Sequence, residues 1–114
     1  MARFAINVPD IATAAERVGG AAGLSFERRE SDHWGPYCLI RLPGAGSIRV
    51  LENVDPVYRA DLDPPEDQFF ESGFPADWVL VDIDSSDAAQ VARWSRVVRD
   101  IFPDAVSTGR AAAE

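Results

Sequence analysis

Phe4, Ile6 and Val8 alternate with Ala5 and Asn7, so Arg3 to Val8 is expected to form a half-buried strand, ended by Pro9. Asp10 then stands where a helix N-cap belongs, and Ile11, Ala14, Ala15, Val18 and Ala22 recur at helical spacing. Gly19, Gly20 and Gly23 mark the end of that helix. Leu24, Phe26 and Arg28 alternate with Ser25, Glu27 and Arg29, the pattern of a second strand. Ser31 to Pro36 breaks it, and Tyr37 to Leu42 reads as a third. Pro43-Gly44-Ala45-Gly46 is a turn signal, and Ser47 to Leu51 pairs back as a fourth.

Asn53 to Pro75 shows no period and holds Pro56, Pro64, Pro65 and Pro75. A run that long is uncommon in a compact domain and is often functional. Asp67 to Ser72 is expected to make one helical turn around Phe69 and Phe70. Trp78 to Asp84 returns as a strand with Val79, Val81 and Ile83 on one side. Ser85 or Ser86 is expected to cap a last helix, whose apolar face is Val91, Trp94, Val98, Ile101 and Phe102 and which Pro103 stops. Hairpins with only two amphipathic helices predict an α+β two-layer sandwich. Its antiparallel sheet would have about five strands, with both helices on one face, as a ferredoxin-like variant. The domain is expected over 1–106, with 107–114 as a frayed tail.

The chain has 114 residues, enough for one domain with one sizeable core. Its start carries no apolar run behind a basic end, and no stretch has the length of a membrane span, so a cytoplasmic location is expected. All 11 basic residues are Arg, in an Ala-rich chain such as a GC-rich bacterial genome writes. The net charge of −8 speaks against nucleic acid or an anionic membrane as partner. That charge is concentrated. Between Asp55 and Asp87 ten acids face the single base Arg59. A concentrated acidic surface steers a basic partner and speeds its association.

Candidate chemistry is sparse. One Cys, Cys38, excludes an internal disulfide and multi-cysteine metal sites, and its apolar strand marks it as inert core. His33, beside Asp32, lacks an orienting partner and an oxyanion hole for a Cys–His pair. Asp61, Asp63, Glu66 and Asp67 are close enough together for a cation, but Pro64 and Pro65 interrupt them and EF-hand spacing is missing. Val79-Leu80-Val81-Asp82-Ile83-Asp84-Ser85-Ser86 resembles the nucleophile motif of haloacid dehalogenase-like phosphatases. That resemblance implies Asp82 and Asp84 in a metal-dependent hydrolase. Against it, the chain has no Lys and few residues after the motif, and a helix-capping role for these acids is simpler. No cofactor is expected.

Trp34 differs from Trp78 and Trp94 in sitting among turn residues, where exposed aromatics often anchor partners. Arg29-Glu30-Ser31-Asp32-His33-Trp34-Gly35-Pro36-Tyr37, followed by Ile48-Arg49-Val50-Leu51-Glu52-Asn53, resembles a pattern in small bacterial immunity-like proteins of polymorphic toxin systems. The resemblance implies a non-enzymatic protein that binds and blocks a toxin. With the charge map, it makes Glu30, Asp32, Trp34, Asp61, Asp63, Glu66, Asp67 and Glu71 the expected partner-binding residues, facing a protein with a basic surface. A small-ligand sensing domain, with its pocket at the sheet edge and helices, is the alternative from another class.

Overall fold

The computed structural model describes residues 1–44, 46–71 and 73–108, so Ala45, Ser72 and residues 109–114 lie outside the description. The elements are β1 (Ala2–Ile6), α1 (Ile11–Ala22), β2 (Phe26–Ser31), β3 (Gly35–Arg41), β4 (Ser47–Glu52), β5 (Val79–Asp84), α2 (Ala88–Ile101) and β6 (Val106–Ser107). The strands form one open antiparallel sheet in the order β2-β3-β4-β5-β1-β6.

Capping chemistry sets both helices. The Asp10 carboxylate accepts from the Thr13 N–H at 2.7 Å, and this holds its pKa below the ordinary carboxylate value. At the other end of α1, Gly23 takes a left-handed φ of 66° and its N–H reaches the Gly19 carbonyl. Leu24 also donates to Gly19, so the cap uses up the residues assigned by pattern to the second strand, and β2 begins at Phe26. The N-cap of α2 is Asp87, not a serine: its carboxylate accepts from Ala89 at 2.9 Å, while Ser85 Oγ accepts from the Asp87 N–H.

The two faces of the sheet have different covers. On the inner face, Phe4, Ile6, Cys38, Ile40, Ile48, Val50, Val81 and Ile83 share one core with Ile11, Ala15 and Val18 of α1 and Trp94 and Val98 of α2. Each helix therefore spends its apolar stripe on the same side. On the outer face, Ala5, Tyr37, Leu51 and Leu80 pack under Trp34, Leu39, Phe70, Phe74 and Trp78. The long segment between β4 and β5 supplies three of these covering aromatics, so it closes the side of the sheet that the helices leave open.

Six strands stand where about five were expected. The addition is β6, which pairs Val106 with Ala5 and Ser107 with Phe4, and Thr108 N–H then reaches the Arg3 carbonyl. Two residues are too few to display an alternation. Ordered pairing thus runs through the first residues assigned to the tail; 109–114 fall outside the description. The helical turn expected over Asp67 to Ser72 lies earlier, as a 3₁₀ turn at Pro65–Gln68, because Phe70 is drawn into the outer core. No helix among the described residues is long and apolar enough to cross a membrane.

Candidate protein-binding face

Asp82 lies at the centre of the outer face. The antiparallel register sets it directly opposite Arg3 on one side and Arg49 on the other. Arg3 grips it with a fork, Nε at 2.6 Å from Oδ1 and Nη2 at 2.8 Å from Oδ2. Arg49 Nη1 stands 3.6 Å from Oδ2, and Glu71 Oε1 is 3.9 Å from Arg3 Nη1. Two cations and two anions cancel in a cluster whose middle, Asp82, has no exposed surface. The Arg49 guanidinium also lies 3.7 Å over the Trp34 ring, which meets Tyr37 edge-on.

This arrangement corrects one sequence expectation. Asp82 caps no helix. Both its oxygens are held by Arg3 beneath a covered surface, and Asp84 sits exposed at the strand end. Among the described residues no three His, Cys, Asp or Glu side chains gather as a metal site. Cys38 faces the helix-side core with its thiol pKa raised by burial, while His33 is exposed on the β2–β3 turn.

Asn53, fully buried at the end of β4, ties the long segment down. Its amide donates to the carbonyls of Glu71, Phe74 and Pro75 at 2.9, 3.0 and 3.3 Å, and its Oδ1 accepts from the Glu71 N–H at 2.8 Å. Just outside that knot, the Asp55 N–H bonds the Gln68 carbonyl at 3.0 Å. Residues 55–68 are thereby pinched into an Ω-loop with a fixed neck. Inside it, the Asp55 carboxylate accepts from Val57, and Asp63 accepts from the Arg59 N–H while donating its own N–H to the Arg59 carbonyl. The loop leans on the β2–β3 hairpin, where a side-chain carbon built on Gly35 would touch the Pro56 ring at 3.8 Å.

The expected site residues therefore separate by role. Asp61, Glu66 and Asp67 are exposed on the Ω-loop, with Asp61 loosely paired to Arg59 at 3.6 Å. Asp63 is half-buried and builds the loop's turn. Glu71 is turned inward to Arg3, outside the loop's displayed surface. Glu30 and Asp32 are exposed on β2 and the adjoining turn, and Trp34 is half-buried beneath Arg49 instead of standing free. Three large apolar side chains not singled out from sequence are also displayed: Val54 at 38 %, Val57 at 54 % and Leu62 at 67 % exposure. They alternate with the acids on the same excursion.

Arg3, Arg49 and Asn53 were likewise not among the expected site residues. A signal existed for the first two, since each occupies an outward position flanked by inward apolar neighbours, as Asp82 does between Val81 and Ile83. Three clefts of about 250, 300 and 350 Å³ open around the ends of α2, and none is lined by the outer-face cluster. No family model matches the chain, and neither a curated protein nor a solved structure matches it.

Proposed function

We propose that this protein is a non-enzymatic, cytosolic binding protein of the immunity or antitoxin kind, which occludes a basic surface on a protein partner, a toxin. The observation that carries this reading is the Ω-loop 55–68. It displays Asp61, Glu66 and Asp67 beside Val57 and Leu62, and its neck is fastened to a buried, charge-neutral base. Apolar side chains among acids suit a partner surface with an apolar centre and an Arg/Lys rim: the charges speed encounter and the apolar contacts slow release. A loop held in shape before binding loses less entropy on association.

For the fold, a ferredoxin-like origin is proposed on the strand order. Removing the β2–β3 hairpin leaves β4-β5-β1-β6, with each helix crossing between non-adjacent strands. The test of function is co-expression with the product of the adjoining gene. That product should be toxic alone and harmless with this protein. Asp61→Lys/Glu66→Lys/Asp67→Lys should abolish the rescue without unfolding the chain. A neighbour that is harmless alone, or rescue that survives the triple reversal, would overturn the reading.

A further inference from the structure

We propose that the outer edge of β2 pairs with β2 of a second copy of this chain, joining the two sheets antiparallel about a two-fold axis. β2 ends the strand order, so its six residues have a neighbour on one side alone among the described residues. Directly opposed residues in an antiparallel pair put their side chains on the same face. A symmetric pair also needs its axis perpendicular to the sheet. Each residue can therefore oppose only itself or a residue of its own face.

This restriction decides the charges. Arg28 opposes inward-facing Cys38 and Arg29 opposes outward-facing Tyr37, so the two arginines lie on different faces, as do Glu27 and Glu30. A symmetric dimer thus never sets Arg28 against Arg29 or Glu27 against Glu30. Two central registers remain. Centring on Arg28 would oppose Glu27 and Arg29, but these already pair within the strand at 2.7 Å, and Glu27 also reaches Arg41 at 3.4 Å. Centring on Arg29 opposes Arg28 of each copy to Glu30 of the other. Arg28 and Glu30 are exposed and make no ion pair among the described residues, so this register adds two new ones. The two Arg29 charges meeting at the axis are each held by their own Glu27. The structure therefore favours the register centred on Arg29, with Glu27 opposite Ser31.

The experiment is sedimentation velocity on the full chain from about 1 to about 200 µM, a range that brackets weak specific association. The mass should climb from 12.4 kDa toward twice that value. Arg28→Glu and Glu30→Arg should each weaken dimerisation at least tenfold, and Arg28→Glu/Glu30→Arg should restore it. Circular dichroism should show all three variants folded, since both side chains are exposed. A chain that stays at the monomer mass throughout overturns the proposal. So does a dimer indifferent to the single changes, or a double swap no stronger than either one, because the contact then lies elsewhere.

Discussion

Asp82→Ala would leave Arg3 and Arg49 facing each other across a covered surface with their shared counter-charge gone. Arg3 is 7 % exposed and cannot turn to water without opening the outer core. It would lose both arms of its fork, at 2.6 and 2.8 Å, while its ion pair with Glu71 spans a longer 3.9 Å. Breaking a buried pair by removing one partner costs about 3–5 kcal/mol, far above the 0–1 kcal/mol of a surface pair. Arg49 has a partial outlet, with 13 % of its side chain exposed and the Trp34 face to lie on, which places the loss toward the lower end. With an unfolding entropy of roughly 2.1 cal/mol/K per residue, a loss of about 3 kcal/mol lowers Tm by roughly 12 °C. Urea unfolding, followed by Trp fluorescence, measures the change directly. Asp82→Asn keeps the shape and should still cost about 2 kcal/mol, which separates charge from cavity. Arg3→Met/Asp82→Leu/Arg49→Leu removes all three charges together and should be far less damaging than Asp82→Ala, since an apolar replacement of a buried ion cluster is often neutral. A loss under about 1 kcal/mol in Asp82→Ala at an unchanged m-value would refute the argument, and the cluster would then behave as a surface pair.

Asn53→Ala should cost about 2 kcal/mol, because it strands several partly buried backbone groups, and limited proteolysis should cut within 55–68 faster than in the wild type. Asp61→Lys/Glu66→Lys/Asp67→Lys should shift stability by about 0.5 kcal/mol or less in the same urea assay, while surface-capture kinetics against the partner show association slowed about tenfold at low salt. Asp87→Ala should cost about 1 kcal/mol by loss of the α2 cap, read from the urea midpoint. The folded-state pKa of Asp10 is lowered, so its carboxylate stabilises the fold above the unfolded value of 3.8, and that contribution is lost as pH falls through the folded value. Thermal melts of wild type and Asp10→Asn should therefore differ at neutral pH and approach each other in acid; a gap that widens in acid would contradict this sign.

The inner half of the protein was legible in the sequence. Period-2 alternation in β1, β3 and β4 and period-3.6 recurrence in α1 and α2 place Phe4, Ile48, Val18 and Trp94 where the core has them, because a face buried against helices must be uniformly apolar. Asp10 and Gly23 likewise fix the limits of α1 by chemistry local to a few residues. The outer half was decided by tertiary structure. Along the chain, Arg3, Arg49 and Asp82 are polar positions on three separate strands. Only the register across β4, β5 and β1 sets them side by side, and only the returning loop removes the water. That loop has no period because its order comes from Asn53, Asp55 and Asp63 bonding its backbone, not from a repeating ladder. The ten acids looked alike as charge along the chain. The fold turned Asp82 and Glu71 inward to arginines and left Asp61, Glu66 and Asp67 outside, since a carboxylate is buried only where a cation from a distant strand meets it.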